Sequence, residues 1–158
     1  MVGILNNRKK IILDLDVATL AFWDKKDEAK LIERIKNNEI MMITPYIILE
    51  HLAKWNHKKL SEEITIFYEK YSSEIITAQN LLNKIENLEV EYEELLAELV
   101  KEGVKEEDVI LVIICSVFEV DYLVTFNRKH LKNKEKGING VLKKNGLKSI
   151  EIKLPSET

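Results

Sequence analysis

The stretch Ile11-Ile12-Leu13-Asp14-Leu15-Asp16-Val17 decides how this chain reads. Ile11 to Leu13 is apolar without a break, which suits a central strand buried on both faces, where a half-exposed strand alternates apolar and polar. The run stops at Asp14, and Leu15 to Trp23 reads as a turn into a short helix. Two carboxylates, Asp14 and Asp16, therefore sit where a buried strand ends.

Working outward, Asp27 to Lys36 reads as an amphipathic helix and Ile40 to Ile43 as the second strand. Thr44-Pro45 is a helix start, with threonine as cap and proline at the first helical position, and the helix runs to about Trp55. Further helices are expected over 61–71, 81–85 and 92–101, with a brief edge strand over 74–77, and Gly103 stops the third of these helices. Lys105 to Asp108 opens a helix that is apolar on nearly every face to Phe118. Tyr122 to Phe126 is the next strand, Asn127 caps a short basic helix, 138–144 is helical, and 149–154 is the final strand. Pro155 then closes the ordered part, leaving 156–158 as a frayed tail. Strands alternating with helices predict one doubly wound α/β domain, residues 1–155, around a largely parallel sheet.

Composition agrees with a single packed domain: 158 residues, 46% hydrophobic and 32% charged, with one cysteine. A lone Cys115 in an apolar run has no partner for a disulfide scaffold, gives no support to a thiolate metal cluster, and makes a reducing interior the default expectation. The formal charge of -3 is no field for coating nucleic acid, but it is unevenly spread. Residues 61–108 hold fourteen carboxylates against four lysines, whereas 128–144 hold seven basic residues against Glu135 alone. A local face for a polyanion is thus expected, alongside the plainer reading of a solvated Lys/Glu surface. No run approaches the roughly 20 apolar residues of a membrane span, and Met1 to Leu5 yields at once to Asn6-Asn7-Arg8-Lys9-Lys10, unlike a signal peptide. A soluble, cytoplasmic protein without membrane partners is expected.

In an open parallel sheet, ligands bind beyond the carboxyl ends of the strands, where Asp14, Asp16 and Asn127 fall. Glu50 lies about two turns into the helix after the second strand, and Asp108 starts another helix. Each has a structural alternative: Asp14 and Asp16 as turn or cap residues, Glu50 paired with Lys54, Asp108 serving a helix N-terminus, and Asn127 as a cap. Gathered together, acids repel unless protonated or neutralised, and hard divalent cations are the usual neutraliser.

The segments Ile11 to Val17, Thr44-Pro45-Tyr46-Ile47-Ile48-Leu49-Glu50, Glu107-Asp108-Val109-Ile110 and Asp121 to Leu131 together resemble a PIN-domain ribonuclease, the family that includes the toxins of many toxin–antitoxin pairs. The resemblance spans nearly the whole chain. It implies a three-layer α/β/α sandwich and an acidic pocket that binds Mg²⁺ or Mn²⁺ and cuts RNA to leave a 5′ phosphate. It also implies metal ligation by Asp14, Glu50 and Asp108. The family commonly has Asp-Thr-Asn where this chain has Asp14-Leu15-Asp16, which assigns Asp16 to water positioning. The usual fourth acid corresponds to Asn127, whose amide can coordinate a cation but adds no charge, so one firmly held cation and a weak or absent second are expected.

Arg128, Lys129, Lys132, Lys134 and Lys136 are candidate phosphate contacts beside the acids, and Lys54, Lys58 and Lys59 form a second patch. Trp23 and Trp55 are expected in the core or an interface. The resemblance further implies a homodimer and an antitoxin partner. Against a metal-dependent endoribonuclease stand a catalytically weakened module of the same fold that binds RNA or protein, and a receiver-like phosphorylation domain, which lacks its expected acid and lysine arrangement here.

Overall fold

The structure is a computed structural model and describes residues 8–23 and 26–158. The amino-terminal stretch weighed against a signal peptide lies largely outside them. Ile11, Ile12 and Leu13 are fully buried in β1 (Lys10–Leu13), as an unbroken apolar run in a central strand requires. β1 pairs on one side with β2 (Met41–Pro45), which pairs with β3 (Ser72–Ile76) at the edge. On its other side β1 pairs with β4 (Tyr122–Val124), and β4 with β5 (Ile152–Lys153). All the pairings are parallel and the order is β3-β2-β1-β4-β5. The chain builds outward from β1 through β2 to β3, then crosses back to lay β4 and β5 on the far side. That reversal makes the boundary between β1 and β4 the switch point, where a crevice opens beyond the strand ends.

Helices cover both faces, giving a three-layer α/β/α sandwich. They are α1 (Leu15–Ala21), α2 (Lys26–Lys36), α3 (Tyr46–Ala53), α4 (Lys58–Tyr71), α5 (Ala78–Asn87), α6 (Tyr92–Lys101), α7 (Glu106–Val117) and α8 (Glu135–Lys144). Val109 and Leu111 to Val117 of α7 are all buried, so the helix that reads as apolar all round is the most enclosed one. Its neighbour α6 has the periodic pattern of a surface helix and buries Leu95 and Leu99. Gly103 takes the left-handed conformation (φ 105°) that ends the α6 turn. Among the described residues no helix is long and apolar enough to cross a membrane.

Several local expectations need correction. Thr44 is buried and its hydroxyl meets that of Ser72, while Pro45 is the residue before α3; strand pairing to β3 claims the threonine that the sequence offered as a cap. The last strand shortens to Ile152–Lys153 because Asn139 ties Ile150 through both its main-chain groups and Glu135 takes the Ile152 amide. Residues 155–158 do not fray: Pro155–Glu157 is a 3-10 turn, Glu157 accepts from the Leu154 amide, and Arg34 of α2 donates to the Thr158 carbonyl at 3.1 Å. Trp23 is 63% exposed, outside the core, whereas Trp55 packs against the core.

Candidate functional site

The site grows from the register of two strands. Leu13 lies opposite Val124, and the Asp14 amide donates to the Val124 carbonyl at 2.9 Å, which sets Asp14 beside Thr125 just past both strand ends. The buried Thr125 hydroxyl donates to Asp14 Oδ2 at 2.8 Å, and the Leu15 amide donates to Asp14 Oδ1 at 2.8 Å. Beneath, Tyr68 of α4 is fully buried and donates its hydroxyl to the Leu13 carbonyl at 2.7 Å. The backbone entering Asp14 is thus held from the sheet and from a helix.

Asp16 lies in the first turn of α1 and accepts at Oδ2 from the Phe126 amide, 3.2 Å away. Its other oxygen, Oδ1, is buried without a hydrogen-bond partner among the described residues. Asp108 enters from the first turn of α7 and accepts from the Asn127 side-chain amide at 3.3 Å. Asn127 also accepts at Oδ1 from the His130 amide at 3.0 Å, so it caps the turn after β4, as the structural alternative in the sequence has it, while bracing Asp108.

Asp14, Asp16, Asp108 and Asn127 line one cleft of about 230 Å³, together with Leu15, Ile47, Ile48, His51, Lys105, Glu107 and Leu111. Burial raises the Asp14 carboxyl, against the Thr125 and Leu15 hydrogen bonds that favour its charge. Burial, then the Asp14 charge, pushes Asp16 up to about 7. Asp108 is likewise pushed up to about 7, by burial first and then by Asp14 and Glu107. Three carboxyls that resist ionisation at neutral pH need a positive charge to ionise together.

Glu50 is not brought in. It is exposed and does not line the cleft, although Ile47, Ile48 and His51 of the same helix do. Ile48 and Leu52 are the buried stripe of α3, and a residue two positions from each is turned by about 200°, onto the opposite side. Spacing along the strand-helix unit counted Glu50 as a site residue; the helical phase of its neighbours counts it out of the lining. The same phase finds His51, three and four residues after Ile48 and Ile47, which sequence reasoning left without a role. Glu107, beside Asp108 in a run of acids, was also passed over.

Of the candidate phosphate contacts, Arg128 and Lys129 are exposed and directly follow Asn127. Lys132 is engaged elsewhere, its Nζ donating to the Ile152 carbonyl at 2.6 Å and facing Glu157 at 3.4 Å. Lys58 lines a separate groove between α3 and α4, and Lys54 is exposed just after α3.

No family model, curated protein or solved structure matches the chain. Among the described residues no three acidic, histidine or cysteine side chains are already closed into a cation cage. Mg²⁺ commonly keeps most of its waters and binds through one or two carboxylates plus substrate phosphate. A buried carboxylate oxygen with no partner and three mutually repelling acids are the donor set that such a hard cation fits.

Proposed function

We propose that this protein is a Mg²⁺- or Mn²⁺-dependent ribonuclease that hydrolyses RNA phosphodiester bonds in the cleft between β1 and β4. The observation that carries the reading is the meeting of Asp14, Asp16 and Asp108 in one cleft, with Asp16 Oδ1 buried and without a partner among the described residues. Asp14, Asp16 and Asp108 would hold the cation, with Glu50 as a fourth carboxylate to be tested from its exposed position on α3. When bound, the cation supplies charge neutralisation and a more acidic water for attack at phosphorus. The chain's own part is to fix the acids. Thr125 and the Leu15 amide hold Asp14, the Phe126 amide holds one oxygen of Asp16 and leaves the other without a partner among the described residues, and Asn127 holds Asp108. Ile47, Ile48, Leu15 and Leu111 supply the apolar part of the lining, which strengthens charge interactions beside it.

One observation favours a second reading, a catalytically weakened module of the same fold. Asn127 gives its amide to Asp108, a neutral donor at the place where the resemblance implies a fourth acid. An antitoxin that covers the cleft and a homodimer belong to the same proposal. Purified protein incubated with single-stranded RNA in Mn²⁺, Mg²⁺ or EDTA separates the readings. Cleavage with either cation and none in EDTA supports the nuclease; RNA affinity without turnover under every cation supports the binding module; cleavage that survives EDTA overturns both. Glu50→Gln measured alongside keeps nearly full activity if Glu50 stays outside the cleft.

A further inference from the structure

We infer that Lys105 is the side of the cleft that seats the RNA backbone over the acids, an inference that rests on the ribonuclease reading. The cleft is lined by four carboxylates, Asp14, Asp16, Glu107 and Asp108. Even with one divalent cation seated, the lining keeps an excess of negative charge, and a phosphodiester approaching it is repelled unless a fixed positive charge lies beside it. Among the described residues that line the cleft, Lys105 alone is permanently cationic at neutral pH.

Lys105 is free for that task. It is exposed, it immediately precedes α7, and its side chain makes no capping hydrogen bond there; only its carbonyl does, accepting from the Asp108 and Val109 amides. None of the ion pairs within 4 Å among the described residues engages it. Its charge already acts on Asp108, drawing that carboxyl down against the burial that raises it. The Lys134 side chain packs over Gly103, two residues before Lys105, and lies outside the cleft lining. Lys132, one of the candidate phosphate contacts in the sequence, is tied to β5 and the C-terminal turn instead. A lysine ammonium at this place would meet phosphate, so the contact it confers carries no sequence preference.

The test is steady-state cleavage of fluorescein-labelled uridine and adenosine oligomers in Mn²⁺ by the full chain and its Lys105→Met and Lys105→Arg variants. Each is measured over a range of KCl, with Mn²⁺ binding followed in parallel by electron paramagnetic resonance. Lys105→Met is expected to raise KM on the order of tenfold on both oligomers, the value of one charge-assisted hydrogen bond, with kcat changed less than threefold. It lowers the slope of log affinity against log salt by about 0.7, one phosphate contact on a single strand. Lys105→Arg restores KM, and Mn²⁺ binding is not weakened in either variant. Unchanged KM and salt slope in Lys105→Met, from an active parent, overturn this inference and leave the ribonuclease reading standing. So does a KM rise matched by weaker Mn²⁺ binding. A parent that neither binds nor cuts either oligomer overturns both.

Discussion

Asp16 is held by one oxygen and, among the described residues, has no partner at the other, which is a poor arrangement for stability and a good one for a ligand. A buried carboxylate oxygen without a donor costs about 1–3 kcal/mol relative to a paired one. Replacing Asp16 by asparagine keeps an acceptor for the Phe126 amide and removes the charge that Asp14 and Asp108 resist. Asp16→Asn is therefore expected to raise the Tm of the cation-free protein at pH 7.5, by about 2–4 °C for a gain on the order of 1 kcal/mol. It is also expected to lose the Tm rise that Mn²⁺ gives the parent. Differential scanning fluorimetry in EDTA and in Mn²⁺ reads both; a lower Tm in EDTA counts against a strained acid cluster. The sequence made Asp14, Asp16 and Asp108 legible because strand ends and helix starts are marked by sharp changes from apolar to polar residues. It left Thr125 unassigned, since a buried threonine in a strand looks like any other β-branched residue until the register with β1 is known.

At the scale of elements, helices and strands followed their local chemistry wherever a cap or periodic face was decisive. Tyr92–Lys101 is an α-helix with Gly103 at positive φ after it, as periodicity and glycine chemistry dictate. The helix read as 81–85 runs from Ala78 because Thr77 and Asn80 form a reciprocal capping box, each side chain bonding the other's backbone amide at 3.1 Å. Thr77→Ala should cost about 1 kcal/mol in urea unfolding and leave RNA cleavage unchanged, because α5 contributes nothing to the cleft lining. A loss of cleavage without a loss of stability would mean that α5 reaches the site. Where long-range contacts decide, local reading stopped short. Thr44 gave up its capping role to Ser72 on β3, 28 residues away, and the C-terminal residues are ordered by Arg34, 124 positions upstream of Thr158. Glu50 belongs here too, because its direction depends on which stripe of α3 the core claims.

Over the whole molecule, the sheet reverses direction of growth between β1 and β4 and so puts every acid of the cleft at one place. Gathering them makes stability depend on pH and on cation. Unfolded, Asp16 and Asp108 titrate near 3.8; folded, each is pushed up to about 7. Between those values the folded state holds more protons than the unfolded one, so the stability of the cation-free protein falls as pH rises from about 4 to about 7, then levels. In EDTA, the Tm at pH 5 should exceed that at pH 7.5, and the double variant Asp16→Asn, Asp108→Asn should flatten the difference. Added Mn²⁺ should close the gap by stabilising the pH 7.5 protein more than the pH 5 one. A parent Tm that climbs from pH 5 to 7.5 in EDTA, with no change of slope in the double variant, would show that these acids are not strained.

The claim at the centre of this account is that a divalent cation held by the acids of the cleft cuts RNA. The initial rate of cleavage of an end-labelled single-stranded RNA in Mn²⁺, measured for the parent and for Asp14→Asn, tests it most directly. Removing a ligand charge from the transition state is expected to slow the reaction by at least two orders of magnitude, with both proteins folded by circular dichroism and the parent silent in EDTA. An Asp14→Asn protein that cuts at the parental rate would contradict it.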